Sequence, residues 1–271
     1  MFQPKLGVSI SNVTHHLSEE WVEAIAHSRI ETMELFARRF IPEVYPNNRP
    51  LLRKLLQTGK VTVSSIHADY GAEIDLSRLD EQTHRNALAA FRRSSIELAV
   101  EFNAPLIVTH MGFGPVPPEE RPARLQQARR SLTELADPCR KAGVKLVVEV
   151  INGDALGNSI DEVLKLKEGL DERAFGLCLD VNHVMARYRE LPEMIRALGR
   201  QLTTIHLSDY DGVTEKHWFP GKGVIDWKAV MQALRDIDYS GPFDNESWPV
   251  GETIQEKLQP YEASFDWLMS L

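Results

Sequence analysis

Residues 175–183 read FGLCLDVNH. The run is apolar almost without a break until Asp180, and a histidine follows three positions later. A short continuous apolar run is the pattern of a strand covered on both faces, whereas a half-exposed strand alternates. Cys178, inside it, reads as a buried and inert thiol. Asp180 carries the information, because a charge beside a buried strand is costly unless it is paired or binds a metal.

The same pattern recurs on either side. VKLVVEV (144–150) precedes it and LTTIHLSD (202–209) follows. Further strand candidates are KLGVSI from Lys5, TMELF from Thr32, VTVSSIHA from Val61, APLIVTH from Ala104 and PFDNES from Pro242. Helical stretches lie between them. Ser18 opens one, with Trp21, Val22, Ile25 and Ala26 at helical spacing. Asp80 opens another, carrying Leu88, Phe91 and Leu98. Residues 117–141 form a third, stopped by Gly143. Ser159 with Glu162 has the spacing of a capping box, and residues 191–200, 226–237 and 253–271 complete the set.

Strands alternating with helices predict a parallel α/β fold. A repeat of roughly 34 residues suits a single (β/α)8 TIM barrel spanning residues 1–271. An open doubly wound sheet would place a Gly-rich phosphate turn after its first strand, and SISNVTHH stands there instead.

Composition narrows the partners. Lys and Arg total 31 against 39 Asp and Glu, a formal charge of −8. Such a chain has little general attraction for a phosphate backbone, so nucleic acid is not the expected partner. Two cysteines, Cys139 and Cys178, exclude a disulfide framework and point to a reducing compartment. MFQPKLGVSIS has no basic segment leading into a long apolar one, and no run is long enough to cross a bilayer. A cytoplasmic protein with no membrane contact is expected, and its oligomeric state, homo-oligomer or monomer, is left open.

In a (β/α)8 barrel the carboxyl ends of all strands converge on one face, where active sites sit. His67 and His110 end the third and fourth strands here. Glu149, Asp180 and Glu246 end the fifth, sixth and eighth, and His206 and Asp209 end the seventh. Glu149, Asp180, His206 and Glu246 are expected to bind one divalent ion, because three converging carboxylates repel one another without a cation. Three carboxylates and an imidazole suit Mn2+, Co2+, Mg2+ or Zn2+. His67 and His110 read equally as core histidines or as further metal ligands. His183 is a candidate for metal binding, for a substrate hydroxyl, or for orienting Asp180. His15, His16, His27 and His84 read as surface or packing residues.

The ordered pieces VVEV with Glu149, LCLDVNH with Asp180 and His183, IHLSDYDG with His206, KHWFPGKGVIDW, and NES with Glu246 resemble the xylose-isomerase-like superfamily of barrels. That superfamily holds sugar and sugar-phosphate isomerases and epimerases, and also the endonuclease IV family. The resemblance implies a metal-dependent isomerase or epimerase of a sugar, sugar phosphate or inositol ketone, with Glu149 and Glu246 also moving the proton. It implies His183 as a hydroxyl contact; His67 and His110 are also candidates to face the substrate. A carbonyl polarised by a metal gives up a neighbouring proton more readily, and carboxylates on opposite faces remove and return it. Dehydratases and lyases begin with the same step.

Phe36, Tyr70, Phe113, Trp218 and Trp248 fall near the expected mouth. Trp218 and Trp248 are candidates to pack on a sugar ring, and Phe36 reads as ordinary lining. One departure from ketose epimerases stands before the Pro-Gly-x-Gly segment, where Glu215-Lys216-His217 replaces an arginine. Lys222 reads as a solvated loop residue. The endonuclease IV side of the resemblance implies additional metal sites built from His67, His110, His183, Glu215 and His217, and a zinc phosphodiesterase. Against it stand the PGKGVIDW loop and the lack of a basic, aromatic DNA-penetrating segment.

Overall fold

The computed structural model describes residues 2–271. Among them, eight parallel strands close into a barrel in chain order. They are β1 Lys5–Ser9, β2 Thr32–Phe36, β3 Thr62–His67, β4 Leu106–Thr109, β5 Lys145–Val150, β6 Phe175–Asp180, β7 Leu202–Leu207 and β8 Pro242–Asn245. β8 closes onto β1 with Phe243 opposite Leu6. The eight expected strands are all present, and all six residues of β6 are buried.

Several helices start where a short polar side chain accepts an orphan N–H. Ser18 accepts from Trp21 N at 3.3 Å and Asp80 from Thr83 N at 2.7 Å. Thr253 and Glu256 form a full capping box at the head of Ile254–Ser270. The Ser159 box forms only by half. Ser159 Oγ accepts from Glu162 N at 3.3 Å, but the Glu162 carboxylate turns to Arg121 and to Gly157 N. The helix expected from residue 117 begins at Arg121 and runs to Lys141. Asn48–Gln57 is a helix absent from the sequence expectations. Its buried positions Asn48, Leu52 and Leu55 keep helical spacing, but polar and basic residues dilute the pattern around them.

Two kinds of interior result. The outward faces of the strands and the inward faces of the helices form one large apolar cluster, while Val108, Val147 and Cys178 form a small separate one. Near the latter the interior is polar. Asp244, fully buried, accepts from Ser64 at 3.2 Å and Thr204 at 3.0 Å. Burial and the neighbouring Glu34 push its carboxyl up to about 7, against the pull of His206 and these hydroxyls. No described helix is long and apolar enough to cross a membrane.

Candidate active site

Strand register brings the expected residues together. Glu149 stands opposite Cys178, Asp180 opposite His206, and His206 opposite Asp244, two residues before Glu246. Glu149 is the hub. Its Oε2 lies 3.1 Å from His67 Nε2 and 3.0 Å from His110 Nε2. Its Oε1 lies 3.2 Å from His206 Nδ1 and 3.4 Å from His183 Nδ1. Glu246 Oε1 approaches the same His206 Nδ1 at 3.6 Å. His183 Nε2 lies 3.2 Å from Asp180 Oδ2 and 3.0 Å from Glu215 Oε1.

The expected quartet is therefore linked through shared imidazoles. Tight trios, with ligand atoms within 4.8 Å of one another, are Glu149–Asp180–His183, Glu34–His206–Glu246, His67–His110–Glu149 and Glu149–Cys178–His206. Two buried carboxylate oxygens, Asp180 Oδ2 and Glu34 Oε1, make no hydrogen bond. Oxygens left without a hydrogen bond among so many acids are what a divalent cation would satisfy, so the residues present fit such an ion.

Burial and charge separate the protonation of these groups. Burial alone would raise Glu149, but His206 and His110 outweigh it and hold its carboxyl well below the usual range. Burial, together with Asp180, Glu34 and Glu149, pushes Glu246 up to about 8 despite His206. Burial opposes charge on His183, yet Asp180, Glu215 and Glu149 raise it to about 10. His206 is likewise raised well above its ordinary value by Cys178 and by the acids Glu246, Glu34 and Glu149. His110 goes the other way, lowered by burial. The Cys178 thiol is buried and pushed well up, in keeping with an inert cysteine.

TMELF reads as an ordinary apolar strand and gives no sign of a functional Glu34. Glu34 is fully buried, accepts from Ser65 Oγ at 2.8 Å, and lies 3.2 Å from His206 Nε2. A carboxylate on the far nitrogen of a ligating histidine fixes its ring and tautomer. Glu34→Gln is expected to weaken divalent-metal affinity about 10- to 100-fold with the fold retained, as read by titration calorimetry. Unchanged affinity would remove Glu34 from that role.

Above the centre opens a cavity of about 300 Å3. His67, His110, Glu149, His183, Glu215, His217, Glu246 and Trp248 line it, as do Phe36 and Tyr70. Phe36, Tyr70 and His110 make an aromatic wall, with ring centres 5.5 Å and 4.6 Å apart. A second hollow shares Tyr70, His110, His183 and Glu215 and includes Phe113. His217 has a φ of 49°, stacks on Trp248 at 4.7 Å and touches the Glu246 carbonyl through Nδ1 at 3.0 Å. Trp218 stands apart from both hollows. Its backbone pairs with Asp209, and its side chain is half exposed. Lys222 is exposed, beside a separate surface pocket containing Trp267. His84 is buried against Ser131, whereas His15, read as a surface or packing residue, lines the cavity.

Asp209 lies outside the candidate metal centre. Its carboxylate accepts from Tyr210 N, Gly221 N and Trp227 Nε1 at 2.9, 3.0 and 2.9 Å. The Pro-Gly-x-Gly segment wraps around it. Gly221 has a φ of +85°, and a side chain on Gly223 would overlap the carbonyl oxygen of Tyr210.

A closed parallel barrel with acids and imidazoles gathered at its carboxyl-end mouth defines a class of (β/α)8 proteins with a candidate metal centre. Residues 22–271 match the xylose isomerase-like TIM barrel family, and the chain belongs to it. L-ribulose-5-phosphate 3-epimerase UlaE of Escherichia coli O157:H7 is 23% identical over 218 residues, covering 80% of this chain and 75% of that protein. D-psicose 3-epimerase of Enterocloster bolteae is 29% identical over 137 residues, covering 48% of this chain and 44% of that protein. The crystal structure of the IOLI protein with a binding zinc atom superposes with a TM-score of 0.83 at 19% identity, covering 98% of each chain, a likeness of fold.

Proposed function

We infer that the protein is a divalent-metal-dependent isomerase or epimerase of a small carbohydrate ketone, whether a sugar, a sugar phosphate or an inositol ketone. One observation carries this. Glu149 and Glu246, at the ends of different strands, meet on one imidazole beneath the cavity. Two carboxyls converging on one site suit one as proton acceptor and the other as donor. A cavity of about 300 Å3 is at the small end of ligand sites and suits a monosaccharide. The named activities of UlaE and of the psicose epimerase are of the same kind.

Glu149, Asp180, His206 and Glu246 would hold the ion, with Glu34 steadying His206. The bound ion would polarise the substrate carbonyl and its neighbouring hydroxyl and offset the negative charge that develops there. The chain's own groups do the rest. One glutamate takes the proton from the carbon beside the carbonyl, and the other delivers one. Return to the same carbon from the opposite face gives an epimer, and return to the adjacent carbon an isomer. His183, anchored through Nδ1 to the Val150 carbonyl at 2.9 Å, would meet a substrate hydroxyl. The Phe36–Tyr70 wall and Trp248 shield the reacting carbon from water.

Incubation in D2O with D-psicose, L-ribulose 5-phosphate and an inositol ketone tests this by NMR. Deuterium is expected at the carbon next to the carbonyl of at least one substrate, lost on chelation and restored by Mn2+ or Co2+. Undiminished exchange in a metal-free sample, or no exchange across the panel, would overturn the reading. Loss of water from the product would redirect it to a dehydratase on the same scaffold.

The His67–His110–Glu149 trio favours a second reading, an endonuclease-IV-like phosphodiesterase with several zinc ions sharing Glu149. Metal analysis separates the two. About three zinc ions per chain with incision of an abasic-site duplex support the phosphodiesterase. A single ion with no incision supports the isomerase.

A further inference from the structure

The turn after β2 carries two arginines with different surroundings. Arg38 is exposed and pairs with Asp69 at 2.6 Å. Arg39 lines the mouth cavity, and among the described residues no carboxylate lies within ion-pair distance of it. Its Nη1 donates to the Tyr45 hydroxyl, its Nη2 lies 3.2 Å from His15 Nε2, and its Nε has no hydrogen-bond partner. The neighbouring Arg49 is ion-paired to Glu101 at 2.6 Å. A half-buried guanidinium with no counter-charge is costly unless something anionic completes it.

This corner is built rather than loose. Asn48 is buried, and its Nδ2 donates to the His15 carbonyl at 3.0 Å and the Arg39 carbonyl at 2.7 Å. Its Oδ1 accepts from Leu17 N at 2.9 Å. One amide thus pins the loop after β1 to the turn after β2 and sets His15 beside Arg39. Ser11 lines the same cavity with a buried hydroxyl that has no partner. The guanidinium, the imidazole nitrogen that does not accept from Arg39, and the Ser11 hydroxyl are donors on one cavity, beside a centre otherwise crowded with acceptors.

We propose that Arg39, His15 and Ser11 form a subsite for an oxyanion of the substrate, a phosphate ester or a carboxylate borne on the carbon chain away from the reacting carbonyl. This rests on reading the cavity as a carbohydrate-ketone site, and it names the charged members of that class as preferred. The planar fork of arginine suits two oxygens of one anion. The subsite also gives this chain a cation at the mouth in place of the arginine absent before Pro220.

Calorimetry on the Mn2+-loaded protein with two matched pairs tests it: L-ribulose 5-phosphate against L-ribulose, and D-fructuronate against D-fructose. The anionic member of at least one pair is expected to bind about 10- to 100-fold more tightly, and the pair that shows it tells phosphate from carboxylate. Arg39→Met is expected to collapse that ratio to within about threefold, and Arg39→Lys to keep part of it. Equal binding within both pairs, or an Arg39→Met loss that strikes neutral and anionic members alike, would overturn the subsite. If Arg39→Met does not fold by circular dichroism, the wild-type ratios and His15→Ala decide. Anion preference without deuterium exchange would sink the isomerase reading and leave the subsite standing, and exchange without preference would do the reverse.

Discussion

Glu149→Gln is expected to lower kcat/KM by at least about 1000-fold while the barrel still folds. Glutamine keeps the size of the side chain but removes its charge and turns one oxygen into a donor. Both oxygens of Glu149 are engaged, Oε1 with His206 and His183 and Oε2 with His67 and His110. The substitution therefore strikes the proposed ligand and the proposed proton carrier together. It also has a readout that needs no substrate. Burial opposes charge on His67, but its contact with Glu149 raises it to about 9 in the metal-free protein. In Glu149→Gln that imidazole should titrate well below this, by NMR of the metal-free variant. Activity within tenfold of wild type together with an unmoved His67 would refute the placement of Glu149 at the hub.

Metal binding is expected to release protons, and affinity is expected to rise with pH. The signs follow from the metal-free centre. His206 is held protonated well above its ordinary range, and Glu246 titrates at about 8. Both hold protons at pH 7, and an ion takes only the unprotonated forms. Each proton displaced makes log K climb by about one per pH unit until the pKa of its group is passed. Calorimetry in buffers of different ionisation enthalpy should find at least about one proton released per ion at pH 7, with affinity increasing from pH 6 to 8. Zero release, or affinity falling as pH rises, would show that these groups are not the ligands.

Much of the fold was legible because its signals are local. Short β-rich runs, several of them near-continuous in apolar residues, marked all eight strands, and the helices beginning at Ser18, Asp80, Asp226 and Thr253 carry a capping side chain there. Register then follows from closure of the barrel, so the convergence of Glu149, Asp180, His206 and Glu246 could be expected from strand ends alone. What escaped depends on long-range packing. TMELF does not reveal that Glu34 is turned towards His206. Glu162 obeys the capping-box spacing, yet it is drawn off by Arg121, which lies 41 residues away. His15 belongs to the mouth only because Asn48, on a helix missed from sequence, ties its loop to the turn after β2. Trp218 sits where an aromatic was expected near the mouth, but the pairing of its backbone with Asp209 sets it apart from the cavity.

The Asp209 hub bears on how such barrels diverge. The Pro-Gly-x-Gly segment is held by a carboxylate eleven to fourteen residues upstream, and its own residues face Trp267 and the outer surface rather than the cavity. The segment therefore holds its own loop together and is neutral between an isomerase and a nuclease. Arg39, Asn152, Glu215 and Trp248 lie on other segments of the rim, outside that network. Substitutions at those positions would reshape the cavity, and with it the choice of substrate, while leaving the Asp209 network untouched.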